Sequence, residues 1–172
     1  ELRRHGGYHV ESVGLSPALV ESMGGVRVMP SKTIDAVMPD DVAVFILPGG
    51  GRWEQKPVES ALASKLRELD AAGVAVAAIC GATLAVAQLG LIRGRRHTSN
   101  GLEYLKKKVP GYSEAGQYVD SPAVRDRGLI TASGLGDVEF ARELFEELGV
   151  LSPDQRAQWA EIFRSARIPA SP

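Results

Sequence analysis

The run "GVAVAAICGATLAVAQLG", residues 73–90, constrains the fold most. From Val74 to Ile79 it is apolar without alternation. A strand of that kind is buried on both faces, the usual situation in a parallel sheet between helices. From Gly81 the composition turns helical, so a strand passes directly into a helix. Cys80, the chain's one cysteine, stands at that joint.

The rest of the chain repeats the theme. "YHVESVG" (8–14) alternates and predicts a weak strand, and 25–37 predicts an extended arm with an irregular link. "DDVAVFILPGGG" (40–51) is a second buried strand that ends in Pro48 and three glycines. Residues 57–73 predict an amphipathic helix with Pro57 at its start and Val58, Leu62, Leu66 and Leu69 on one stripe. Helices are expected over 81–92 and 102–111, and two strands over 117–133 around Asp126-Arg127-Gly128. Further helices are expected over 137–150, with Asp137 capping, and over 152–166, with Ser152 as N-cap and Pro153 at N1. Trp159 is expected to pack. Alternating buried strands and helices give an α/β class with a parallel sheet between helical layers. A length of 172 residues fits one domain over 1–172.

Composition narrows the function classes. Net charge is −1, so neither nucleic acid nor an anionic membrane is an expected partner. No apolar run approaches the roughly 18 residues of a membrane span. A single cysteine forms no internal disulfide and belongs to no CxxC pair, so a reducing, cytoplasmic setting is expected, with no metal and no cofactor. The chain opens without Met on charged residues and Gly6-Gly7, like the end of a helix, so further residues upstream are expected.

Ligands of such sheets bind beyond the carboxyl ends of the strands. Three loops qualify: 48–55, 79–82 and 132–137. Around Cys80 the pattern A-I-C-G-A resembles a nucleophile elbow, whose sharp turn tolerates only small neighbours. A thiol at a helix N-terminus is favoured as thiolate. The alternative is a small buried hydrophobe. Gly50 and Gly81 N–H groups are candidate oxyanion donors. His97 is the candidate base, because a cysteine nucleophile commonly uses an imidazole. Gly49, Trp53, Thr83, Ser99 and Asn100 are expected to line the pocket. Arg93, Arg95 and Arg96 read as a solvated basic edge.

The segments "VFILPGG", "VAAICGATLAVAQLGLIRGRRHTSN" and "GLITASGLGDVEFARELFEELG" resemble the ThiJ/PfpI superfamily, which includes the parkinsonism-associated deglycase, within the class I glutamine amidotransferase-like fold. The likeness covers roughly residues 1–150. It implies a flavodoxin-like three-layer sandwich, a homodimer, a reactive cysteine at Cys80, and oxyanion donors at Gly50 and Gly81. Protease-like members place a histidine directly after the cysteine, where this chain has Gly81. Others carry a histidine in a T-x-H-P-like loop; aligned on Thr98, this chain has Asn100 there. The resemblance also implies a glutamate at the end of a first strand, expected upstream of Glu1. The expected activity is cysteine-dependent hydrolysis, as amidase or protease, or lyase-like glyoxalase or deglycase chemistry on a small carbonyl or amide compound. The alternative is a redox-sensing or chaperone-like protein with an oxidisable cysteine.

Overall fold

A computed structural model describes residues 1–166. Its centre is a four-stranded sheet of β5 (Val44–Leu47), β6 (Ala75–Ile79), β8 (Leu129–Ala132) and β7 (Ala123–Asp126), in that spatial order. β5, β6 and β8 run parallel and β7 is antiparallel to β8. Four short strands precede it: β1 (Val13–Gly14), β2 (Val20–Glu21), β3 (Arg27–Val28) and β4 (Lys32–Thr33). β1 pairs in parallel with β4, and β2 with β3 forms a small antiparallel hairpin. The helices are α1 (Leu2–His5), α2 (Arg52–Gln55), α3 (Ser60–Ala71), α4 (Thr83–Gln88), α5 (Leu102–Lys108), α6 (Asp137–Glu147) and α7 (Pro153–Ser165).

The strand period of two sorts the core into two layers. On β6, Val76 and Ala78 join Leu66, Leu69, Leu84 and Val86 on one side. Ala77 faces the other way, with Ile130, Ala132, Phe140 and Leu144. Leu129 and Ile130 divide in the same manner. The sheet is therefore sandwiched, with α3 and α4 on one face and α6 on the other. Each fully buried leucine contributes about 1.5–3 kcal/mol of apolar transfer free energy. β5 lies at the edge, and its Ile46 is 37% exposed on the side that α6 covers only farther in.

Several boundaries differ from the expectations, for physical reasons. The expected strand over 8–14 shrinks to Val13–Gly14, whose recorded partner is the two-residue β4. The helix expected from Pro57 starts at Ser60: Lys56, which precedes Pro57, is extended, as is Glu59. Val58 thus falls outside the helix, and Ala63, Leu66 and Leu69 form its buried stripe. The helix expected over 81–92 stops at Gln88, because Gly90 turns the chain at φ 75°. Residues 117–122 are not a strand, while Arg127 and Gly128 make the expected turn between β7 and β8. Asp137 does not cap α6: Gly136 holds that position and Asp137 lies in the first turn, where its charge complements the helix dipole. Ser152 caps α7 in a full capping box with Gln155. Trp159 packs edge-on against Phe145, with ring centres 4.8 Å apart. No helix of the described residues is long and apolar enough to cross a membrane.

Candidate active site

The end of β6 makes the site. Ile79 is extended, and Cys80 then adopts φ 59° before a short 3-10 turn leads into α4. Left-handed backbone at a side-chain-bearing residue costs about 1–3 kcal/mol and persists where the surroundings over-determine it. Here they do. Thr83 Oγ1 donates to the Cys80 carbonyl at 2.6 Å. Its one proton is thereby committed, so the 2.6 Å contact with Ser99 Oγ has the serine as donor. Thr83 and Ser99 are buried and lock the elbow from behind.

The three expected loops converge on this cysteine. A Cβ on Gly49 would stand 2.9 Å from Cys80 Cβ. A Cβ on Gly81 would stand 2.8 Å from the Gly50 carbonyl oxygen. A Cβ on Gly134 would stand 2.9 Å from Cys80 Sγ. These close approaches explain why glycine stands at 49, 81 and 134.

Asn100 completes the thiol's surroundings. Its Oδ1 accepts from the Gly134 N–H at 2.9 Å, which orients Nδ2 toward Cys80 Sγ at 3.6 Å. Farther along α5, the Tyr104 hydroxyl donates to Glu54 Oε1 at 3.1 Å. Lys108 Nζ meets Glu54 Oε2 at 2.8 Å. Burial, and then the bond to Glu54, push the Tyr104 hydroxyl up to about 12. The bonds from Lys108 and Tyr104 hold the Glu54 carboxyl below its usual 4.5.

Beside the thiol lies a cavity of ≈ 720 Å³ lined by Cys80, Ser99, Asn100, Tyr118, Asp120, Ser133 and Leu135. That volume suits a small organic ligand. Trp53 is elsewhere: it donates to the Pro48 carbonyl at 2.9 Å and walls a separate cavity of ≈ 380 Å³ with Glu54 and Lys108.

His97 stands apart from the arrangement expected for a base. It is fully buried, with Nδ1 at 2.8 Å from the Arg95 carbonyl and Nε2 at 2.8 Å from Tyr112 Oη. Tyr112 and Tyr118 meet its ring edge-on. Both ring nitrogens are occupied, so the structure pairs Cys80 with Asn100 and leaves His97 a buried fastening for its loop. Arg95 is likewise no free edge charge, because it pairs with Asp70 at 2.6 Å. Sequence reading missed Tyr104 and Asp120, since no local pattern marks them, and it had Gly134 only as part of the candidate loop 132–137. No group of three or more metal-ligating side chains occurs among the described residues.

Fold and site together define a flavodoxin-like α/β sandwich with a cysteine elbow at a strand end. The DJ-1/PfpI family model matches residues 1–147, and the chain belongs to that family. The "uncharacterized protease YoaZ" of Bacillus subtilis (strain 168) is 34% identical over 158 residues, covering 92% of this chain and 75% of the relative. The DJ-1 superfamily protein Atu0886 from Agrobacterium tumefaciens superposes with a TM-score of 0.86 at 31% identity, over 96% of this chain and 88% of that one. A thiJ/pfpI family protein from Bacillus anthracis gives 0.83 at 34% identity, over 90% and 73%.

Proposed function

We propose that the protein is a cysteine-dependent enzyme acting on a small carbonyl or amide compound, with Cys80 as nucleophile. The observation that carries the reading is the elbow: a left-handed Cys80 at the end of β6, its Sγ beside an amide donor and a ≈ 720 Å³ cavity. The thiolate attacks the carbonyl carbon, the S–C bond forms, and the C=O electron pair moves to oxygen. Gly50 and Gly81 N–H groups receive that oxyanion. With an amide, collapse breaks the C–N bond, the amine takes a proton from water, and water then hydrolyses the thioester. The name of the relative YoaZ favours the protease or amidase branch over glyoxalase or deglycase chemistry. Turnover of peptides, simple amides and methylglyoxal, compared between the parent and Cys80→Ala, tests this. Loss of all turnover in the variant is expected; a variant as active as the parent refutes it.

A second reading is a redox sensor, favoured by the partly exposed thiol with its single amide donor at 3.6 Å. Peroxide would then add two oxygens to Cys80 by mass, in a protein that turns over none of those substrates.

A further inference from the structure

Sheet register assembles the wall that faces Cys80. Ala123 at the start of β7 pairs with Ala132 at the end of β8, and the Ser133 N–H continues the ladder by donating to the Pro122 carbonyl at 3.0 Å. Asp120, before β7, and Leu135, after β8, therefore emerge from neighbouring segments, and both line the ≈ 720 Å³ cavity that Cys80 opens into. Among the described residues, Asp120 is the one charged side chain in that lining. It is exposed, and it makes no hydrogen bond or ion pair within the described residues. Leu135 is 95% exposed, so its apolar surface is uncovered as well. The nearby hydroxyls are spent: Ser99 donates to Thr83, and Ser121 donates to the Ala123 carbonyl at 3.1 Å.

The wall thus offers an apolar surface without an occupant and a carboxylate without a counter-ion. We propose that the cavity selects substrates carrying an ammonium group on a short aliphatic stem beside the reacting carbonyl or amide, and that Asp120 is the specificity-determining residue. The inference rests on the reading of this cavity as the substrate site of Cys80. A carboxylate in a concave wall attracts a cation more strongly than one on an open surface, because less water screens it. The Cys80 sulfur, as thiolate, adds a second negative charge to the same cavity. An anionic substrate group meets both charges and no lysine or arginine in the lining. A neutral aliphatic group covers Leu135 and leaves Asp120 to water. An ammonium-bearing stem uses both, and the cavity volume suits a molecule of that size.

The chain's single cysteine reads the field of the cavity directly. Methanethiosulfonates bearing an ethylammonium, a methyl or an ethylsulfonate group each transfer their thio group to Cys80, and mass follows the rates. Each rate is divided by that of the same reagent with 2-mercaptoethanol. In the parent the ammonium reagent is expected to react fastest and the sulfonate slowest. Asp120→Asn is expected to reduce the ammonium-to-sulfonate ratio about fivefold at low salt. Asp154→Asn removes the same charge from an exposed position on α7 outside the cavity, and is expected to keep the parent ratio. Salt at about 0.5 M is expected to narrow the parent ratio toward that of Asp120→Asn. A ratio unchanged by Asp120→Asn, or reduced equally by Asp154→Asn, overturns the proposal. Should Asp120→Asn fold poorly, the salt series on the parent carries the test, and a ratio insensitive to salt overturns it. Labelling needs no turnover, so a failed nucleophile reading shows separately as full activity of Cys80→Ala.

Discussion

Cys80 and His97 look like partners in the sequence and live in opposite environments in the fold. Cys80 is partly exposed, in left-handed backbone, with a 3.6 Å contact to its sulfur. His97 is fully buried, with each ring nitrogen in a 2.8 Å hydrogen bond. The first is a group whose surroundings leave its sulfur open to a cavity. The second is a group whose two ring nitrogens are both held by hydrogen bonds away from the thiol. Strain and an open sulfur support the proposed functional role of Cys80, and complete hydrogen bonding supports a structural role for His97.

The largest expected effect separates the two by activity. Cys80→Ala should reduce turnover at least about a thousandfold, the scale of losing a nucleophile, while its melting temperature stays near that of the parent. Next comes the space behind the elbow. Gly81→Ala places a Cβ 2.8 Å from the Gly50 carbonyl oxygen, and chemical denaturation should register a loss of about 3 kcal/mol. His97→Ala removes the partner of Tyr112 Oη and opens a buried space, so about 2 kcal/mol of stability should vanish in urea titrations. If that variant instead keeps its stability and loses activity, the contrast breaks. The smallest effect concerns the start of the His97 loop, where Asp126 accepts from the Arg96 N–H at 2.8 Å. That bond, and then Arg127, hold the Asp126 carboxyl below its usual 3.8. A depressed carboxyl contributes stability above 3.8 that is lost as pH falls through the lower folded value. The melting temperature gap between parent and Asp126→Asn should therefore exist at pH 7 and close below pH 3.8.

Local sequence carried a good part of this. Ala78, Gly81 and Ala82 around Cys80 announce the elbow, and at Gly81 the Gly50 carbonyl oxygen leaves no room for a Cβ. Ser152 and Pro153 announce α7 through its cap. The unbroken apolar run along β6 announces a strand buried on both faces. That three strand-end loops share the site was legible, but which side chains meet there was not. Gly134 meets Cys80 only because β8 lies beside β6 in parallel register, Ile79 against Ala132. Tyr104 reaches Glu54 only because α5 returns over α2. His97 misled through rarity: as the one histidine outside the first nine residues it drew the role of base, and nothing local told that Tyr112 would fold onto it.

The central claim is that the Cys80 thiol is held by Asn100 and not by His97. Iodoacetamide labelling of Cys80 at pH 7 in folded His97→Gln and Asn100→Ala tests it most directly. The account predicts parent-like labelling in His97→Gln and a severalfold slower reaction in Asn100→Ala. Slow labelling in His97→Gln with an unchanged rate in Asn100→Ala would contradict it.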